Sequence, residues 1–71
     1  MVMSMKVVGS PSPTFYTALY RRKGSRMFYR CGYRSESLND ISEMAHRDVE
    51  AGRYAAAKVI DATSCRVIET I

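Results

Sequence analysis

Few residues in this chain have types and spacings that could do chemistry. Nucleophilic catalysis needs a serine or cysteine beside a base. The one histidine, His46, lies in a stretch with helical spacing, while Cys31 falls mid-strand, Ser64 falls at a turn and Cys65 opens the last strand. His46 therefore reads as a partly exposed helix residue, and both cysteines as small core or near-core residues. Metal binding needs several Cys, His or carboxylate ligands at workable spacing, and there is no Cys-x-x-Cys. Asp40, Glu43 and Glu50 could work as acid and base only inside a concave pocket; their spacing places them on a solvated helix face. Arg22-Lys23-Gly24-Ser25 superficially resembles the end of a phosphate loop, but it lacks the first glycine and precedes a strand. The sequence thus predicts no enzyme, no catalytic residue, no metal and no cofactor.

Binding chemistry is better represented. Arg21, Arg22, Lys23 and Arg26 crowd one predicted hairpin tip, and Arg30 and Arg34 continue along the following strand beside Phe15, Leu19 and Phe28. Arginine forks onto phosphates and carboxylates and stacks on flat groups. Aromatics interleaved with arginines on an open sheet can stack bases. The expected partner-binding set is Arg21, Arg22, Lys23, Arg26, Phe28, Arg30 and Arg34. The plainer alternative makes the tip a solubilising turn and buries Phe15, Leu19 and Phe28 under a dimer partner or the N-terminal arm.

The elements that must position these residues fit one small domain, because 71 residues allow one thin core. Gly9-Ser10-Pro11-Ser12-Pro13 cannot hold a helix or a central strand, so residues 1–13 read as a flexible arm in which Lys6-Val7-Val8 could add a short edge strand. Residues 14–71 form the domain. Strands are expected at 14–22 and 26–34, rich in aromatic and β-branched residues, with Gly24 supplying the positive φ of a tight turn. An even-length loop puts Tyr16, Ala18 and Tyr20 on one face with Met27, Tyr29, Cys31 and Tyr33. That set carries no charge and is the expected core face. Phe15, Thr17, Leu19 and Arg21 then share the other face with Arg26, Phe28, Arg30 and Arg34.

Ser37 followed by Asp40 resembles a capping box. Leu38, Ile41, Met44 or Ala45, and Val49 form one apolar helical stripe, Glu43 and Arg47 are spaced for an ion pair, and Gly52 closes the helix. A strand over 53–60, a turn at 61–64 and a strand over 65–70 follow, with Ala55, Ala57 and Val59 as a small-residue track that a helix can approach. The fold class is α+β, β-β-α-β-β, with an antiparallel-rich sheet and one helix on one face.

Net charge is +4, yet residues 36–52 carry −4 and the remainder therefore +8. A domain with one acidic element and a basic remainder suits nucleic acid or an acidic protein patch. No apolar run is long enough to span a bilayer and no secretory signal is present. Two cysteines are too few for a disulfide framework. The expected location is the cytoplasm, that of the host cell if the protein is phage-encoded. The expected partner is a host protein complex or nucleic acid, with no membrane involved and a homodimer compatible with the pattern.

The order of hairpin, basic turn and helix resembles integrase arm-binding and plant AP2-type domains, whose three-stranded sheet lies in the DNA major groove. That resemblance implies DNA contact through Tyr20, Arg22, Arg26, Phe28 and Arg30. This chain departs from the pattern in having two strands after the helix and no tryptophan. In size and style the whole chain resembles short accessory proteins of phages and mobile elements, including anti-CRISPR inhibitors. That resemblance implies a non-enzymatic inhibitor that sterically blocks a host nucleic-acid-handling defence complex. The alternative is a direct DNA- or RNA-binding module.

Overall fold

The computed structural model describes residues 13–71. The expected arm, with its Lys6-Val7-Val8 strand, lies outside the described residues except for Pro13. Strands β1 (Tyr16–Arg21) and β2 (Phe28–Ser35) are followed by helix α1 (Leu38–Glu50), then β3 (Ala56–Asp61) and β4 (Val67–Thr70). The four strands make one antiparallel sheet in the order β2-β1-β3-β4. This is the β-β-α-β-β, α+β architecture that the apolar spacing predicts. Among the described residues no helix is long and apolar enough to cross a membrane.

Local signals set the ends of α1. Ser37 caps its start, the Oγ accepting a hydrogen bond from the Asp40 amide at 3.2 Å. At the other end Gly52 takes φ 79°. Its N–H donates to Val49 O, and that of Arg53 to Asp48 O, the paired bonds of a Schellman close. Glu43 accepts from Asn39 Nδ2 at 3.2 Å, and among the described residues it forms no ion pair with Arg47.

The helix covers the middle of the sheet. Ile41 and Ala45 are buried in one cluster with Ala18 and Tyr20 of β1 and Ala57 and Val59 of β3, and Tyr16, Cys31, Met44, Val49, Tyr54 and Ile71 pack around it. The small side chains of β3 allow the close approach. Alternation on β1 is as the sequence predicts, and Tyr20 pairs with Tyr29 across the hairpin.

The expected core face of β2 is corrected. Of its uncharged residues only Cys31 packs against the core; Tyr29 and Tyr33 are each 53% exposed, as is Met27 at 62%. One helix is about 10–12 Å across and strands lie about 4.8 Å apart. A helix seated over β1 and β3 cannot also roof the edge strand β2. The hairpin loop is even, as expected, but longer than a two-residue turn: Ser25 N–H donates to Arg22 O at 3.1 Å, with Gly24 at φ 80°. The pairing then slips further along. Leu19 faces Arg30, but Thr17 faces Arg34, so Ala18 stands opposite the three residues Cys31-Gly32-Tyr33. Alternation alone could not reveal this bulge.

Candidate nucleic-acid interface

The sheet face away from α1 gathers Arg21, Arg30 and Arg34 of the hairpin with Phe15, Leu19 and Phe28. Register places them in rows across the sheet. Arg30, Leu19 and Lys58 lie side by side, as do Phe28, Arg21 and Ala56, and Arg34, Thr17 and Ile60. The cations lie down on this surface instead of projecting from it. Arg34 sits over the Phe15 ring at 5.0 Å, and Lys58 Nζ over the Phe28 ring at 4.5 Å, an attraction between cation and ring face. Arg30 crosses β1 to the turn after β3, donating from Nη1 to Ala62 O at 3.2 Å and from Nη2 to Cys65 Sγ at 3.4 Å. On this face Thr17 and Ile60 are buried, although among the described residues no helix lies on this side.

Charge neutralisation occurs on the opposite side. Among the described residues Arg53 pairs with Asp48 at 2.9 Å, and His46 Nε2 meets Glu69 Oε2 at 2.7 Å, an ion pair whenever the imidazole is protonated. Arg21, Arg30, Arg34 and Lys58 have no carboxylate partner among them. The outer face therefore carries unneutralised positive charge on a partly apolar floor, while Asp40, Glu43 and Glu50 lie exposed on the helix.

The predicted tip does not act as one cluster. Arg21 Nη1 donates to Ser25 O at 2.9 Å, which ties its guanidinium to the loop. Lys23 leans the other way, its Nζ 3.7 Å from where a Cβ on Gly52 would stand, beside the negative end of α1. Arg22 lines a recess with Tyr20, Tyr29 and Tyr54. Arg26 is exposed. Of the expected set, Phe28, Arg30 and Arg34 share the outer face with Arg21, while Arg22 and Lys23 turn toward the helix. Lys58 was missed; its signal is its place between the buried Ala57 and Val59, which sends it to the opposite face.

His46, the base weighed for catalysis, meets a carboxylate that Ser42 also bonds, and Cys31 lies apart from it. Ser42 Oγ donates to Glu69 Oε1 and His46 Nε2 meets Glu69 Oε2, each at 2.7 Å; together these hold Glu69 below the usual carboxylate range, the serine bond contributing most. Both partners bond the carboxylate, so the serine does not meet the imidazole as a nucleophile would. Cys31 Sγ lies 3.3 Å from Thr17 Oγ1 and from Tyr33 O. Asp61 is held low by the Ser64 and Thr63 amides that it caps in the β3–β4 turn, and Cys65, which follows, sits at φ 64°. Comparison of the chain with protein-family models, curated proteins and solved structures gave no match in any of the three.

Proposed function

We propose that this protein is a non-enzymatic nucleic-acid-binding module that lays a single strand across the outer face of its sheet. One observation carries the reading: Arg30, Arg34 and Lys58 lie among Phe15, Leu19 and Phe28 on that face with no described carboxylate to neutralise them. Cations that already lie over rings can exchange the ring for a phosphate, and the uncovered ring can take a base. Sheet width favours a single strand over a duplex groove. Four strands about 4.8 Å apart span about 14 Å between outer strand axes, more than the major groove's roughly 12 Å before side chains are added. The three-stranded sheets of integrase arm-binding domains avoid that excess.

The test is fluorescence anisotropy of a labelled fifteen-residue oligothymidine at two salt concentrations. Neutralising three phosphates should give a log–log salt slope of about −2, from about −0.7 per phosphate on single strands. The double variant Arg30→Glu with Lys58→Glu should stay folded and bind at least tenfold more weakly. Absence of binding, or tighter binding of a duplex of equal length, would overturn the reading.

A second reading, the phage-type inhibitor of a host nucleic-acid-handling complex, rests on a separate surface. Met27 just before β2 and Tyr29 and Tyr33 within it are exposed, and aromatic and methionine side chains are enriched where proteins meet. Affinity purification from bacterial lysate, with Tyr29→Ala/Tyr33→Ala as control, tests it. A stoichiometric host protein lost with that variant supports it; recovery of bulk nucleic acid alone counts against it.

A further inference from the structure

We propose that the recess at the β2 bulge is a phosphate cradle, formed by Arg30 and Arg34, that anchors the bound strand. The inference deepens the nucleic-acid reading and starts from the register. In a regular strand two residues four apart stand about 13 Å from one another, at about 3.3 Å per residue. Here Arg30 and Arg34 face Leu19 and Thr17, which are only two apart on β1. The bulge thus brings the two positions to about 7 Å along the sheet and leaves both on the outer face.

Between them lies a recess of about 210 Å³, lined by Thr17, Arg30, Gly32, Arg34 and Ala62 together with Cys31 and Tyr33. Thr17 is buried and its hydroxyl donates to the Tyr33 carbonyl, so the polar group of the floor is satisfied. Arg30 is oriented by Ala62 O and Cys65 Sγ, which engage two of the five N–H donors of a guanidinium. Arg34 is oriented by the Phe15 ring and donates to no acceptor among the described residues. No carboxylate lines the recess. Two preoriented forks with spare donors, flanking one cavity without a counter-ion, match the oxygens of a phosphate group.

The experiment is an NMR titration of ¹⁵N-labelled protein with inorganic phosphate, with sodium chloride at matched ionic strength as the reference. Saturable shifts should concentrate on the Arg30 and Arg34 Nε–Hε signals and on the Thr17 and Gly32 amides. Arg34→Gln should abolish them and weaken oligothymidine binding about tenfold, while Arg22→Gln/Arg26→Gln at the tip should leave both unchanged. An amide spectrum that overlays wild type confirms that each variant is folded. Shifts no larger than those from chloride, or shifts that persist in Arg34→Gln, would overturn the cradle. Failure of the two readings is distinguishable. A protein that binds oligothymidine but shows no localised phosphate shifts keeps the strand-binding function and loses the cradle. One that localises phosphate but ignores the oligonucleotide keeps the cradle and loses the function.

Discussion

Tyr20→Phe removes one oxygen and tests how the helix is tied to the sheet. The Tyr20 hydroxyl donates to Asp48 Oδ2 at 2.7 Å, and the ring stacks on Tyr54 with centroids 4.3 Å apart. Tyr20 is buried, and that burial, with the Asp48 bond next, pushes its phenol well above the ordinary range. The substitution keeps the ring and its stacking and deletes only the hydrogen bond. Asp48 retains its Arg53 partner at 2.9 Å, so the carboxylate is not left bare. A hydrogen bond to a charged group contributes about 1.5–3 kcal/mol, and the surviving pair argues for the lower half, about 2 kcal/mol. For a domain of this size that is roughly 8–16 °C in melting temperature.

The loss should depend on pH. Asp48 is held below the usual carboxylate range chiefly by the Tyr20 bond. A carboxyl that titrates lower in the folded than in the unfolded chain stabilises fully above its unfolded pKa, and that contribution fades as pH falls through the folded value. The gap between wild type and Tyr20→Phe should therefore be widest near neutrality and close in strong acid. Melting followed by circular dichroism at pH 7 and through the acid range measures both. Equal melting temperatures at pH 7, or a gap that does not narrow in acid, would refute the reasoning.

Ile41→Asp should unfold the domain, because it puts a charge into the fully buried helix–sheet seam at a cost of several kcal/mol; a retained cooperative melt would show that the seam is not where the core lies. Gly52→Ala should lower stability by about 1 kcal/mol, read in denaturant titrations, since its φ of 79° is costly for a residue with a Cβ. Glu69→Gln should remove the acid-side sensitivity that the depressed Glu69 carboxyl confers through Ser42 and His46: wild type loses that contribution as pH falls through the folded value, and the variant has none to lose. Arg22→Glu/Arg26→Glu should leave the melt unchanged within about 0.5 kcal/mol.

Much of the fold was legible because its signals are local. Ser37 caps within three residues, Gly52 closes a turn it sits in, and the stripe of Ile41 and Ala45 follows from helical pitch. Alternation on β1 and the small residues of β3 pointed to the face that the helix covers. The aromatic hairpin strand β2 was misread because exposure on an edge strand depends on where the helix sits, and no residue of β2 encodes that.

The candidate site divides the same way. The residue types were visible: arginines interleaved with phenylalanines and neutralised by little nearby. Their grouping was not. The crowded run from Arg21 to Arg26 splits between two faces, because a strand sends neighbours to opposite sides and Lys23 finds the helix end. Lys58, 24 residues beyond Arg34, joins the outer face through the β1–β3 pairing. Arg30 and Arg34, four apart in the chain, stand two apart on the sheet because of a bulge set by pairing with β1. By itself the sequence determined the order of elements, the helix ends and the alternation along β1, since these follow from neighbours a few residues away. The tertiary structure alone decided which cations share a surface and how far apart they stand, because register and helix placement come from contacts between segments distant in the chain.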